Sequence, residues 1–184
     1  SAGQFVDPGL YDFLVEQIEA FGVEAGSVEL ELTERTLVED IDKTLETMHK
    51  LCDRGFSFSI DDFGTGYSSL SYLKKMPVDC IKIDKCFVSG MLDNQADMQI
   101  VMSTIAMVRN LGMKVIAEGV ENRAQLRFLK SEQCDLVQGY LFSRPICETG
   151  LMEELRAMVN RGIWIEAAEI VKQPLLESAH KQPE

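Results

Sequence analysis

The chain has 184 residues, 46% of them hydrophobic, which is enough to bury one sizeable core, so we expect a single globular domain. Its formal net charge of −12 argues against binding to nucleic acid polymers or to anionic lipid, because both need clustered Lys and Arg. A phosphate-bearing ligand would need cations to accompany it.

The cysteines and the hydrophobic pattern indicate a cytoplasmic setting. The five cysteines form no C-x-x-C pair and are odd in number, which favours reduced, mostly buried thiols over a disulfide framework or a zinc site. No uninterrupted apolar stretch reaches the roughly 20 residues that a membrane span needs, and no signal-peptide pattern opens the chain. We therefore expect no membrane contact by this domain, although other domains could tether a parent protein to a membrane.

Helical and strand-like segments alternate along the chain. Asp7-Pro8 predicts the start of a helix, and apolar residues at helical spacing from Leu10 continue it to Phe21, before Gly22. Further helices are predicted over 41–52 and 98–108, and at about 122–132 and 149–160. Five apolar runs that end in polar side chains are predicted as strands: 28–31, 56–62, 78–84, 113–118 and 134–138.

This alternation predicts right-handed βα units and a parallel sheet. Short apolar runs that end abruptly in charge are typical of a TIM-like (β/α) barrel whose carboxyl-terminal strand ends carry the chemistry. A closed barrel of this type needs more than five strands, so we expect an α/β barrel that is incomplete at its N-terminus. The gap predicts trimming from a longer protein, a disordered N-terminal part, or an assembly that covers the open edge.

The strand ends carry hard oxygen ligands: Glu31, Asp61, Asp62, Asp84 and Glu118. A single aspartate at a strand end is most often a loop or helix cap, but several at one edge predict a metal site. Such oxygen donors favour Mg²⁺ or Mn²⁺ over zinc. The neighbours Asp61 and Asp62 can each face a different cation only where the backbone is irregular.

Lys82 lies between Ile81 and Ile83 in a predicted strand, so its side chain points to the face opposite theirs. A buried lysine needs a partner. Two interpretations stay open: a structural ion pair with Asp84 or Asp61, or a role at a reacting centre.

Five strings resemble the EAL-domain family of cyclic di-GMP phosphodiesterases, in the same order and at similar spacing, from residue 1 to about 160. They are Glu29-Leu-Glu-Leu-Thr-Glu34, Asp61-Asp-Phe-Gly-Thr-Gly-Tyr-Ser-Ser69, Ile81-Lys-Ile-Asp84, Ala117-Glu-Gly-Val-Glu121 and Gln138-Gly-Tyr-Leu-Phe-Ser-Arg-Pro145. The resemblance implies a TIM-like barrel with one antiparallel strand. It also implies cleavage of cyclic di-GMP to linear 5'-pGpG with two Mg²⁺ or Mn²⁺ ions.

The resemblance assigns roles residue by residue. Metal ligands are implied at Glu31, Asp61, Asp62 and Glu118, with Asp62 on the second ion. Lys82 matches a lysine near the attacking water, Gln138 and Glu121 match residues close to the water and ions, and Asp84 matches a further acid. Glu34 matches a glutamate that anchors the loop 63–69, which the family uses to couple homodimer formation to metal binding. The general base stays open.

Two departures from the family pattern limit this expectation. The signature Glu-Ala-Leu segment and a metal-binding Asn would fall before Ser1, and Gly3 stands where the family often has Arg. We therefore expect the chain alone to be weakly active and to hold at least one ion poorly, because fewer oxygens replace the ion's hydration shell.

We expect an EAL-type domain over 1–160 and a C-terminal extension over 161–184, helical near 162–171 and then disordered. The alternatives to the phosphodiesterase are a non-catalytic cyclic di-GMP receptor, and an interaction or scaffold domain or a different phosphate-handling barrel.

Overall fold

The computed structural model describes residues 2–5, 7–34, 41–66 and 70–160. The expected C-terminal extension over 161–184 lies outside these ranges. The described residues form two compact units. The N-terminal unit comprises residues 2–84 and 106–115, and the C-terminal unit comprises residues 85–105 and 116–160.

Helices and strands alternate along the chain, which confirms the α/β class. The helices are α1 Ala2–Phe5, α2 Leu10–Phe21, α3 Ile41–Arg54, α4 Leu70–Leu73, α5 Lys85–Gly90, α6 Gln95–Asn110, α7 Arg123–Ser131 and α8 Glu148–Asn160. The strands are β1 Glu29–Thr33, β2 Ser57–Phe63, β3 Cys80–Ile83, β4 Lys114–Glu118 and β5 Leu136–Gln138. All five predicted strands are present. The short helices α1, α4 and α5 were not predicted, because a helix of four to six residues is too short to show a period.

Strands β1, β2 and β3 of the N-terminal unit pair in parallel. Side chains at alternate positions, including Phe58, Ile60, Ile81 and Ile83, are fully buried, and the ring of Phe5 in α1 packs edge-on against Phe58 with centroids 6.0 Å apart. This apolar face therefore meets the helices. The residues between them, Lys82 among them, point to the opposite face, as the strand period predicted.

Helix α2 begins later than the sequence indicated. The Asp7 side chain accepts a hydrogen bond from the Gly9 amide at 2.8 Å, and regular helix begins at Leu10. Asp7 therefore forms a local turn ahead of the helix instead of capping it directly. The predicted end is confirmed, since Gly22 adopts the left-handed conformation at φ 65° and its amide bonds back to the last turn.

In the C-terminal unit, β4 and β5 pair in parallel, with Glu118 opposite Gln138. Helix α7 begins after Asn122, whose side chain accepts hydrogen bonds from the amides of Ala124 and Gln125 at 3.0 and 2.9 Å. The Gln125 side chain in turn accepts a hydrogen bond from the Asn122 amide, which completes a reciprocal cap. The segment that follows Glu118 is thereby tied to the start of a helix.

Candidate active site

Three predicted site residues meet in the N-terminal unit, at the carboxyl ends of its strands. Glu31 pairs with Ser59, and Ser59 with Cys80, so Glu31 lies on the same face as Asp61 and Lys82, which follow two residues later on their strands. The Lys82 ammonium nitrogen lies 2.8 Å from Glu31 Oε1 and 3.5 Å from Asp61 Oδ1. The sequence named Asp61 as a partner of Lys82 but not Glu31.

Burial differs within this group. The Lys82 side chain is 5% exposed, whereas those of Glu31 and Asp61 are 50% and 24% exposed. The positive charge is therefore enclosed, while both carboxylates reach solvent and remain accessible to a ligand. The carboxylates of Glu31 and Asp61 already lie close to one positive charge, the Lys82 ammonium. Carboxylate oxygens are hard ligands of the kind that fits Mg²⁺ or Mn²⁺.

The backbone is irregular at Asp61 and Asp62, which meets the condition for these neighbours to face different cations. Ile60 pairs with Ile81 and Phe63 with Ile83, so β2 carries one residue more than β3 over this interval. Asp62 has φ 54°, and its amide donates to Asp61 Oδ1 at 2.9 Å. This bulge releases the two carboxylates from the strict alternation of a strand.

Glu34 binds the backbone of the glycine-rich segment after β2. Its side chain is buried, and Oε2 accepts hydrogen bonds from the amides of Gly64 and Gly66 at 3.2 and 3.0 Å. A methyl group on Gly66 would lie 2.9 Å from the Glu34 carboxyl carbon. Positions 67–69 of the predicted loop lie outside the described residues.

The remaining site residues with described contacts belong to the C-terminal unit. The amide of Val120 donates to the Gln138 carbonyl at 3.0 Å, and the Val120 carbonyl accepts from Leu141 at 2.9 Å. The Glu121 amide donates to the Gln125 side chain at 2.8 Å. Glu118 and Gln138 are thus neighbours on paired strands, and the segment behind them is held by its backbone.

The structure qualifies the metal prediction. Over residues 2–5, 7–34, 41–66 and 70–160, no three side chains of Asp, Glu, His or Cys are grouped so that they could hold a metal ion. Asp84 follows β3 and is half-buried.

Two residues near the site were not predicted from the sequence. They are Ser59, which is fully buried beside Glu31, and Gln125. The reciprocal cap between Asn122 and Gln125 was the sequence signal for the latter.

A cavity of about 680 Å³ lies in the C-terminal unit beside Gln138, between the segment after β5 and helix α8. Its wall includes Tyr140, Arg144, Leu151 and Met158, and the Arg144 guanidinium lies 4.6 Å from the centre of the Tyr140 ring.

None of the helices in the described part of the chain is long and apolar enough to cross a membrane.

Comparison with known proteins identifies the family. The family model of the EAL domain matches residues 1–145. The chain belongs to the EAL domain family. The similarity also confirms the predicted fold, an α/β fold of the TIM-like (β/α) barrel type, of which the five described strands are fewer than a closed barrel needs.

Individual EAL relatives are similar over most of this chain. Cyclic di-GMP phosphodiesterase NbdA of Pseudomonas aeruginosa is 48% identical over 148 residues, 80% of this chain and 19% of the relative. Bifunctional diguanylate cyclase/cyclic di-GMP phosphodiesterase MucR of the same organism is 41% identical over 146 residues, 79% of this chain and 21% of the relative. The chain thus spans about a fifth of the length of these relatives.

Solved EAL structures are similar as well. The PaMucR phosphodiesterase in complex with c-di-GMP has a TM-score of 0.79 and 40% identity, covering 82% of this chain and 61% of that one. Klebsiella pneumoniae BlrP1, in a complex with manganese and cyclic di-GMP, has a TM-score of 0.69 and 35% identity, covering 75% of this chain and 35% of that one.

Proposed function

We propose that this chain contributes to a divalent-metal-dependent phosphodiesterase that hydrolyses cyclic di-GMP to linear 5'-pGpG in bacterial second-messenger signalling. The observation that carries the proposal is the enclosed Lys82 ammonium between Glu31 and Asp61, at the ends of adjacent parallel strands. The names of the relatives NbdA and MucR and the cyclic di-GMP in the PaMucR and BlrP1 structures support the substrate.

The ligands of the two proposed ions, Mg²⁺ or Mn²⁺, are Glu31, Asp61, Asp62 and Glu118. The bulge at Asp62 supports this set, because it frees adjacent carboxylates to serve different cations. When bound, the ions would supply an activated water and neutralise the phosphodiester. A chain with a net charge of −12 would otherwise repel this anionic substrate.

The other site residues bind and orient the attacking water and the substrate, or hold the backbone of the site in place. Lys82 presents ammonium donors that are already aimed by two carboxylates, so it can hold the attacking water or a phosphate oxygen with little reorganisation. Gln138, beside Glu118 on the paired strand, and Glu121 hold the water through hydrogen bonds, and Asp84 adds a further acceptor. Glu34 keeps the segment after β2 in place through the Gly64 and Gly66 amides.

Chromatography of the products tests the activity. We expect the intact protein to convert cyclic di-GMP to pGpG with Mg²⁺ or Mn²⁺ and to lose this activity with a chelator. Glu31→Gln should abolish most turnover, since it removes one carboxylate charge from the site. Glu46→Gln is the matched control, because Glu46 is an exposed residue that forms an ion pair with Lys50. Turnover that survives both the chelator and Glu31→Gln would refute the proposal.

A non-catalytic cyclic di-GMP receptor is the second candidate. It is favoured by the absence, among the described residues, of a ready group of three metal-binding side chains, and by the Lys82 ammonium, which already lies between Glu31 and Asp61. Calorimetry distinguishes the two functions: tight cyclic di-GMP binding without turnover in Mg²⁺ would support the receptor.

The organisation around the site is also proposed. An EAL domain over 1–160, followed by an extension over 161–184, would work in the cytoplasm without membrane contact of its own. It would form a homodimer through the loop 63–69. Glu34→Gln weakens the acceptor that holds this loop, so light scattering should show a shift toward monomer. An unchanged mass would contradict the dimer contact.

A further inference from the structure

Gln125 is a buried polar residue in the first turn of α7, 4% exposed. Its Oε1 accepts hydrogen bonds from the amides of Glu121 at 2.8 Å and Asn122 at 3.2 Å. Its Nε2 donates to the carbonyl of Val88 in α5 at 3.2 Å. Backbone amides can only donate and a carbonyl can only accept, so these partners determine the orientation of the side-chain amide.

These hydrogen bonds join two segments that are distant in sequence. Val88 lies in α5, whereas Glu121 belongs to the short segment between β4 and α7, defined here as the 118–122 segment. A second contact joins the same pair, because Gly119 packs on Lys85, the first residue of α5. A methyl group on Gly119 would lie 2.5 Å from the Lys85 Cβ, and its φ of +72° favours glycine in any case.

The 118–122 segment is also tied to β5, through the hydrogen bonds of Val120 with Gln138 and Leu141. It therefore has two supports: backbone bonds on the β5 side, and Gln125 with Gly119 on the α5 side. Of these, only Gln125 binds the backbone of Glu121 through a side chain. The site residues Glu118 and Glu121 lie at the two ends of the stretch that these supports hold.

We propose that Gln125 is a positioning residue for the active site, which holds Glu118 and Glu121 in register with Gln138 by bracing their segment against α5. The inference rests on the proposed phosphodiesterase function. Gln125 does not touch substrate in this scheme. Without it, the Glu121 and Asn122 amides and the Val88 carbonyl lose buried partners, and the segment is free to shift away from the geometry that catalysis needs.

Two substitutions separate the contacts of Gln125. Gln125→Met keeps the length and removes all three hydrogen bonds. Gln125→Glu keeps an oxygen that accepts from Glu121 and Asn122, but it replaces the donor to Val88 by a second acceptor and adds a negative charge. Thr104→Val is the control, because Thr104 is a buried polar residue of α6 in the same unit.

The readouts are kcat and KM for cyclic di-GMP and amide hydrogen exchange of residues 119–123 in the intact protein. For Gln125→Met we expect kcat to fall by about 10- to 100-fold, with a smaller change in KM. We also expect faster exchange at Glu121 and Asn122. Gln125→Glu should retain protection of both amides but still lower kcat, because it breaks the hydrogen bond to Val88 of α5. Thr104→Val should change neither readout.

Each alternative outcome decides the matter. If Gln125→Met lowers the melting temperature but leaves kcat and the exchange of both amides unchanged, the role is merely structural and the proposal is wrong. If Gln125→Met does not fold, Gln125→Glu decides: lowered kcat with protected amides supports the brace against α5, and unchanged kcat with protected amides overturns it. If the wild-type protein lacks turnover, the proposed function fails, and exchange together with calorimetric Mn²⁺ affinity tests the brace alone.

Discussion

The two units arrange their site residues by different means. In the N-terminal unit a charge organises the group, because the Lys82 ammonium lies between Glu31 and Asp61. In the C-terminal unit the backbone does so, because Glu118 and Gln138 are strand partners and the segment behind them is held by main-chain bonds. The first arrangement should be sensitive to loss of charge and the second to added volume.

The largest effect is expected from removal of the central charge. Lys82→Met keeps an unbranched chain and leaves Glu31 and Asp61 facing each other without a cation. We expect cyclic di-GMP hydrolysis to fall by about 100- to 1,000-fold, the usual cost of losing a preorganised electrostatic group, measured as kcat/KM. Lys50→Met is the control, because the exposed pair of Lys50 with Glu46 contributes little. A kcat/KM within twofold of wild type would show that charge does not organise this unit.

Added volume in the C-terminal unit should come next. In Gly139→Ala the new methyl group would overlap the backbone nitrogen and carbonyl oxygen of Val120. Because backbone cannot move aside as a side chain can, we expect the unfolding free energy to fall by about 2–3 kcal/mol, measured by urea denaturation.

Two glycines make that test sharper. Gly150→Ala in α8 meets no atom within 4 Å and should be neutral or raise stability by about 0.5–1 kcal/mol. In Gly66→Ala the nearest described atoms belong to the carboxyl group of Glu34, a side chain that can shift, so this substitution should cost less than Gly139→Ala. Equal losses for Gly139→Ala and Gly150→Ala would contradict the close backbone approach.

Ser59 provides a smaller test in the N-terminal unit. Its hydroxyl oxygen is buried and has no hydrogen-bond partner among the described residues. Ser59→Ala removes a desolvated polar group without changing the shape of the site, so we expect the unfolding free energy to rise by about 1 kcal/mol. A loss of stability in urea titrations would show that the hydroxyl is hydrogen-bonded in solution.

The smallest effect concerns the pH at which the thiols of the two units react. It is a difference in reactivity and not in the free energy of unfolding. In the N-terminal unit, burial raises the pKa of Cys52, with the charges of Asp79 and Asp53 adding to it. In the C-terminal unit, the hydrogen bond with the Thr149 hydroxyl lowers the pKa of the exposed Cys147. Because the thiolate is the reactive form, alkylation of Cys147 should begin at lower pH than that of Cys52. Peptide mass mapping across a pH series measures this order, and the reverse order would contradict it.

The sequence by itself determined the longer elements and the chemistry at their ends. Helices α2, α3 and α6 follow from apolar residues at helical spacing, which report a buried face directly, and the five strands follow from short apolar runs that end in polar side chains. Glu31, Asp61 and Lys82 were identifiable because polar residues interrupt apolar runs where parallel strands end. The sequence also indicated the condition under which Asp61 and Asp62 could serve different cations, an irregular backbone, and the structure has that irregularity.

Tertiary structure alone decided which groups meet. The choice of Glu31 as the nearer partner of Lys82 depends on strand register, and the bond from Gln125 to Val88 joins residues 37 positions apart. The overlap that restricts position 139 to glycine depends on where the backbone of Val120 lies. Local spacing predicts elements because neighbours in sequence share a helix or strand. It does not predict these contacts, which arise only when separate segments pack together.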